Sequence, residues 1–284
     1  MRFNAGMMIK RGTITMAKPT YSDINNKTIF LIQAKKLNDN NLIPAQDYGY
    51  EVINAIEYDE WYNRKTRYGY TLYDGFDMEG SGHRFLQEYL NTQYIPVGSV
   101  EYVEEYIRQC YRIQSVIPLN VPLQLYKYVN RFATIIGNEE FENKLIPDRK
   151  YFIKSATKIK GYSDFIIPKK AKDIPHDTYF VSEIIDIETE WRCFVKDGEL
   201  LDIRCYSGNP FVMPDIYTIK KMIKEYTDCP PAYTLDVCKT SDGITSIVEC
   251  HNFFSCGLYG FSDYKNYLIM LIRAFRWQVT KGKK

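Results

Sequence analysis

Tyr233 to Gly260 reads YTLDVCKTSDGITSIVECHNFFSCGLYG. Two runs with a period near two, Tyr233 to Lys239 and Ile244 to His251, flank Asp242 and Gly243, a dipeptide that signals a tight β-hairpin. With a two-residue turn, Ser241 pairs with Ile244, and counting back sets Asp236 directly opposite Glu249. Opposed residues share a face with Cβ atoms roughly 5 Å apart, and like charges at that separation destabilise a sheet unless something positive lies between them. A divalent cation would resolve the conflict; the bland alternative is an edge hairpin with both carboxylates in solvent.

The rest of the composition bounds the setting. In 284 residues, 45% hydrophobic and 25% charged content is that of an ordinary globular protein with room for two domains. A net charge of +2 gives no global drive toward nucleic acid or membrane, so any basic surface is local. The 25 tyrosines suit half-buried positions, where a polar tip meets water. Seven cysteines without a CxxC pair argue for reduced, buried thiols and a cytoplasmic setting rather than a disulfide framework or zinc site. His83, His176 and His251 are too scattered to form a metal cluster alone, and no run has the length and apolarity of a signal peptide or membrane span.

Residues 1–26 are expected to form a loose arm, with Met16 an alternative start. From 27 to 143 strand-like and helix-like pieces alternate, as in a small α/β domain. KTIFLIQAK from Lys27 is a buried strand, followed by an irregular polar surface to about Gly82. The pattern then predicts a helix over Ser81–Leu90, a strand at Tyr94–Val97, a helix over Glu101–Tyr111 with Ser99 as N-cap, and a further helix over Asn120–Gly137. Neither GxGxxG nor GxxxxGK[ST] occurs.

The character changes at residue 144. Lys144 to Lys172 holds nine Lys or Arg against two Asp. YFIKS (Tyr151–Ser155) reads as a strand with Lys154 inside it, followed by the basic loop ATKIKGYSD and a strand at Phe165–Pro168. A lysine in a short apolar strand must meet an anion or snorkel out. The stretch from Tyr179 to Gly208 gives a strand ending at Glu183, then Glu190–Val195, a turn at Asp197 and Gly198, and Glu199–Tyr206. A two-residue turn would place Arg192 and Arg204 on opposite faces; a three-residue loop would place them on one face with Glu190 opposite Arg204. Helices are predicted over Asp215–Asp228 and Phe261–Gln278, the latter with Ser262 as N-cap.

In order, a strand lysine, a mobile Gly-containing loop, a hinge glutamate and a C-terminal carboxylate hairpin resemble the ATP-grasp superfamily over about residues 144–275. The preceding α/β part looks like a pre-ATP-grasp domain. PVGSVEYV, the Glu190-x-Arg192 pattern, the returning Arg204 and SCGLYG are similar to a small phage and bacterial clade marked by two arginines and a lysine, in which RNA ligases have been predicted. The arginine pair also resembles the tubulin-tyrosine-ligase-like branch. The resemblance implies an α/β ATP-grasp fold of two subdomains that grip ATP between antiparallel sheets, with a hinge near 183–186.

It implies roles as well. Lys154 would contact the α/β-phosphates, with Lys160 and Gly161 in the loop closing over them. Backbone groups of Glu183, Ile184 and Ile185 would bind adenine and Glu190 the ribose, while Asp236 and Glu249 would carry Mg²⁺. Arg192 and Arg204 would neutralise the transferring phosphoryl group or hold an acyl phosphate. Where the family commonly has Glu-x-Asn, this chain reads Glu249, Cys250, His251, Asn252; alternation puts His251 on the face of Glu249, unless a bulge turns Asn252 in. The function implied is an ATP- and Mg²⁺-dependent ligase of a bacterial or phage-infected cytoplasm, joining a carboxylate-bearing small molecule or peptide to an amine. The alternatives are an RNA ligase or end-repair enzyme, and a non-catalytic nucleotide-binding protein.

Overall fold

The computed structural model describes residues 28–37, 41–76, 85–91 and 93–282. The expected N-terminal arm and His83 lie outside them. Among the described residues the chain builds three four-stranded sheets.

In the first, β1 (Thr28–Leu37) runs parallel to β3 (Tyr68–Tyr73) and β4 (Tyr94–Val97), while its far end pairs antiparallel with β2 (Asn41–Pro44). Phe30, Leu31 and Ile32 are almost fully buried, as expected of a central parallel strand. Helix α2 (Val100–Tyr111) starts where its cap demands, with the Ser99 hydroxyl accepting from the Tyr102 amide at 3.2 Å. The polar stretch expected to be irregular instead carries α1 (Asp47–Asn63) and β3. The helix forms around Gly49 because a side chain there would collide with Ile32 and Pro44; glycine lets α1 close onto β1 and β2. Of the helix expected over Ser81–Leu90, residues 81–84 lie outside the described residues, and Gln87–Tyr89 form only a 3₁₀ turn.

The second sheet, β5-β8-β6-β7, comprises β5 (Ala133–Gly137), β6 (Tyr151–Ser155), β7 (Ser163–Ile166) and β8 (Thr178–Glu183), all antiparallel. The helix expected over Asn120–Gly137 is thus a 3₁₀ segment, Leu123–Tyr128, followed by β5. A boundary at residue 144 falls inside this sheet, just after the single-turn α3 (Phe141–Lys144). Tyr151, Ile153, Tyr179 and Val181 pack inward with Phe141 and Leu145, so period-two alternation turns Phe152, Lys154, Phe180 and Ser182 the other way.

The third sheet, β10-β9-β11-β12, contains β9 (Ile187–Lys196), β10 (Glu199–Gly208), β11 (Ala232–Thr240) and β12 (Thr245–Asn252). One face packs Trp191, Cys193, Leu235 and Val237 against α4 (Ile216–Glu225). On the other face, Phe194 and Ala232 join Phe253 and Phe261 in the core built on β1 and closed by α5 (Tyr264–Lys281). The same face carries Arg192, next to Phe194 on β9, and Asp236, beyond Thr234 on β11. Asp263, not Ser262, caps α5, accepting from the Asn266 amide.

Asp236 does face Glu249, but by a different route from the simple count. The amide of Thr240 bonds to the carbonyl of Ile244, leaving a three-residue turn with Gly243 at φ +84°. That moves the register by one, and a bulge at Val248 moves it back. The β9–β10 hairpin behaves similarly. Its turn is the two-residue Asp197-Gly198, both at positive φ, yet a bulge at Leu201 makes Arg204 the direct partner of Arg192, so they share a face. Ser207, not Arg204, lies opposite Glu190.

Candidate active site

The second and third sheets face each other across a cleft of about 280 Å³. Phe152, Phe165, Phe180, Ile184, Ile185 and Val248 make its walls largely apolar, and Lys154, Arg131, Glu190 and Glu249 add charged groups to the lining. A flat, largely apolar ligand with a strongly anionic tail matches that lining.

Four strands contribute one connected set of charges. From β6, the Lys154 ammonium bridges to Glu249 on β12, tying one sheet to the other. On β9, Arg192 donates from Nε and a terminal nitrogen to both oxygens of Asp236 on β11, at 2.9 and 2.7 Å, and from its other terminal nitrogen to the Gly257 carbonyl at 3.0 Å. His251 Nε2 stands 2.7 Å from Glu249 Oε1 and 3.4 Å from Asp236 Oδ2. Asp236 is only 1% exposed, and the Arg192 guanidinium that meets both its oxygens offsets that burial despite the Glu249 carboxylate opposite.

The electrostatics follow. Burial favours the neutral acid at Asp236, but hydrogen bonds from Arg192 and His251 outweigh it and hold its pKa below the usual carboxylate value. Burial lowers the pKa of Lys154, and the Asp236 charge only partly offsets this. Burial likewise lowers that of His251, against the opposing pull of Asp236. Glu190 is pushed up, first by burial and then by the Asp236 charge.

The loop after Lys154 is held at its base. Ser155 and Thr157 donate to the two oxygens of Asp177, both at 2.6 Å, and the Asn120 amide donates to the Ala156 carbonyl at 2.9 Å. Lys160 adopts φ +50° to turn the chain, and Gly161 passes so close to Ser155 that a Cβ would meet it at 2.6 Å. Glu183 spends its carboxylate on Arg149 and the Phe132 amide, which leaves the backbone of 183–185 as the cleft wall.

Asn252 is not brought to the carboxylates. Its amide donates to the Ile117 carbonyl at 2.8 Å and accepts from Gln278, so it faces the core under α5. Arg204 shares the face of Arg192 but is partly exposed, steadied by Asp202 at 2.7 Å and lying beside Gly260. Several contributors were not legible as site residues. Arg131 was read as part of a helix; it lines the cleft and donates to the carbonyls of Val129 and Ile247. Tyr206 and Tyr259 place their rings 5.7 and 5.1 Å from the Arg192 guanidinium; both lie in stretches named above, but neither residue is marked there as part of the site. Thr234, opposite His251 and on the face of Asp236, is fully buried with no hydrogen-bond partner for Oγ1 among the described residues.

The residues fit a divalent cation. Asp236, Glu249 and His251 each offer a ligand atom, all within 4.8 Å of one another, and the Thr234 hydroxyl is an orphaned polar atom on the same face.

Two antiparallel sheets closing on a cleft of this kind define the ATP-grasp fold. D-alanine–D-alanine ligase from Bacillus anthracis superposes with a TM-score of 0.50 at 12% identity, over 90% of this chain and 99% of that one. N5-carboxyaminoimidazole synthetase from Staphylococcus aureus, solved with ADP, gives 0.49 at 8% identity over 87% and 77%. D-cycloserine synthetase gives 0.48 at 8% over 88% and 99%. Residues 139–270 match the family model described as ATP-grasp domain, R2K clade family 2, so this part of the chain is an ATP-grasp domain. No curated protein sequence matches the chain. Among the described residues no helix is long and apolar enough to cross a membrane.

Proposed function

We propose that the protein is an ATP-dependent ligase that activates a carboxylate as an acyl phosphate and joins it to an amine. The observation that carries this reading is the linked set of charges in which Lys154 meets Glu249 on the wall of an apolar cleft between two sheets, and Glu249 is joined through His251 to the Asp236–Arg192 pair. Phosphoryl transfer asks little covalent help of a protein; it needs positioned cations around oxygens whose charge is moving. The ligase named among the structures of this fold supports the same class.

In this reading the aromatic and aliphatic walls take the adenine, with the backbone at 183–185 along its edge, and Glu190 accepts from the ribose hydroxyls. Lys154 leaves Glu249 for the α/β-phosphates, while Lys160 and Gly161 form the turn of the loop over them. Asp236 and Glu249 would hold Mg²⁺ or a similar ion, which supplies charge neutralisation at the β- and γ-phosphates. Arg192, fully engaged with Asp236 and the Gly257 carbonyl, is a positioning residue that fixes the carboxylate. Arg204, its partner across the hairpin, is partly exposed and held by Asp202, and is the guanidinium that meets the acceptor carboxylate or its phosphate.

A carboxylate oxygen attacks the γ-phosphorus, the bond to the β,γ-bridging oxygen breaks, and ADP leaves. The amine then attacks the acyl carbon, phosphate departs and the nitrogen loses a proton. The test is ADP release and hydroxamate formation when the protein, ATP and Mg²⁺ are mixed with hydroxylamine and a panel of amino acids and peptides. Hydroxamate from one member supports the reading; joining of nicked RNA with no hydroxamate from any carboxylate overturns it.

A further inference from the structure

The carboxylate pair has a third companion that changes the chemistry of the site. Asn252, the residue whose oxygen would complete an all-oxygen set, is turned into the core and bonded to Ile117 and Gln278. The side chain that faces both carboxylates is His251, cross-strand from Thr234 and next on the face to Glu249. Its Nε2 lies 2.7 and 3.4 Å from the nearest oxygens of Glu249 and Asp236. An octahedron with bonds of ~2.1 Å has edges of roughly 3 Å, so His251 already stands at about the spacing of a neighbouring ligand from each carboxylate, and all three atoms lie within 4.8 Å of one another.

We infer that His251 is the third protein ligand of the metal, and that the site therefore takes a first-row transition-metal dication in preference to Mg²⁺. The inference rests on the metal-dependent ligase reading and deepens it. Mg²⁺ demands oxygen ligands and gives up water reluctantly, whereas an imidazole nitrogen binds Mn²⁺, Fe²⁺ and Co²⁺ with an affinity that rises along that series. Two carboxylates and one imidazole leave three positions of an octahedron for phosphate oxygens and water, enough to keep the nucleotide chemistry unchanged. The buried Thr234 hydroxyl, without a partner on the same face, is placed to accept or donate to a water in that shell. The alternative use of His251, as a purely structural base between two acids, gives no reason for the Asn252 amide to be spent elsewhere.

Mn²⁺ is the probe. Its binding to the full chain with a β,γ-methylene analogue of ATP is followed by loss of the free-ion electron paramagnetic resonance signal, with Mg²⁺ as competitor. Pulsed measurements on the bound ion then look for coupling to an imidazole ¹⁴N. The expected result is nitrogen coupling in the wild type that disappears in His251→Asn, together with about a tenfold fall in the Mg²⁺ needed to displace half the Mn²⁺. Nitrogen coupling is read on the wild-type protein, so this arm holds even if the variant folds poorly. Mn²⁺ that binds with nucleotide but without nitrogen coupling, or a His251→Asn variant with an unchanged Mn²⁺ to Mg²⁺ ratio, overturns this inference and leaves the ligase reading standing. No nucleotide-dependent binding of either ion overturns both.

Discussion

Arg192 and Asp236 are direct cross-strand partners on β9 and β11, and the planar guanidinium meets both carboxylate oxygens at 2.9 and 2.7 Å. Both side chains are buried, at 8% and 2% exposure, so neither charge has water to fall back on. Burial works against the arginine's charge, yet the bonds to Asp236 more than compensate and hold its pKa above the ordinary value.

Removing one partner is therefore expected to cost more than removing both. Arg192→Met leaves Asp236 uncompensated and should lower stability by about 3–5 kcal/mol, whereas Arg192→Met combined with Asp236→Leu should lose less than the sum of the single variants. Urea unfolding of the four proteins in a double-mutant cycle measures this. Additive losses would show that the pair has no mutual dependence.

Lys154 and the metal compete for Glu249, because the ammonium sits on the carboxylate that the ion would use. Phosphates give Lys154 somewhere else to go, so nucleotide and metal should bind with positive coupling of about 1–3 kcal/mol, each tightening the other by the same factor. Lys154→Met should weaken nucleotide binding and tighten metal binding measured alone, abolishing most of that coupling. Calorimetric titrations of metal with and without nucleotide check both halves.

Glu190 illustrates a stability cost carried at the proposed nucleotide cleft. Its folded pKa is raised by burial and by Asp236, so the folded state holds its proton more tightly than the unfolded chain does. Stability from this residue is present below the ordinary carboxylate value and is lost as pH rises through the elevated one. Glu190→Gln should remove that decline, raise the melting temperature at neutral pH, and weaken nucleotide binding about tenfold through the lost charge-assisted hydrogen bond. Melting curves across the acid range and an affinity measurement at neutral pH give the two readouts.

Asn252→Ala separates position in a motif from position in space. Its amide ties Ile117 to Gln278 under α5, and because Gln278 still bonds the Ile117 carbonyl the two lost hydrogen bonds should cost only about 0.5–1.5 kcal/mol each. Nucleotide-dependent metal binding should survive. A loss of metal binding larger than the loss of stability would place Asn252 in the ion's shell after all.

Much of the site was legible because β-structure repeats every two residues and the key residues lie in two hairpins. Asp236 opposite Glu249 came out as counted, although the turn is one residue longer and a bulge at Val248 restores the register. A bulge leaves no mark in the sequence, which is why the choice between two turn lengths at Asp197 and Gly198 missed the actual solution. Strand β5 was hidden for another reason. Ala133–Gly137 has no partner nearby in the chain, and only pairing with Thr178–Ser182 makes it a strand. Helix α1 lacked a side-chain cap at Gln46 and carried a glycine, so its local signals were those of a loop while its burial was that of a helix. The N-caps Ser99 and Asp215, which bond to the first turn, made the starts of α2 and α4 legible to within a residue, whereas α4 stops at Glu225, three residues short of Asp228.

The packing of α5 has a consequence for how the molecule is made. One continuous core joins Ile29 through Ile32 on the first strand to Leu268, Leu271, Phe275 and Val279 on the last helix, with Gln278 also reaching Ile117. Helices α1 and α2 cover part of the first sheet, but its core is completed only when the final helix arrives, so loop-closure entropy over nearly the whole sequence is lost before that contact forms. Folding should therefore be slow for a chain of this length and all-or-none across its halves. The ATP-grasp portion expressed without the residues that precede it would expose the apolar stripe of α5 and aggregate.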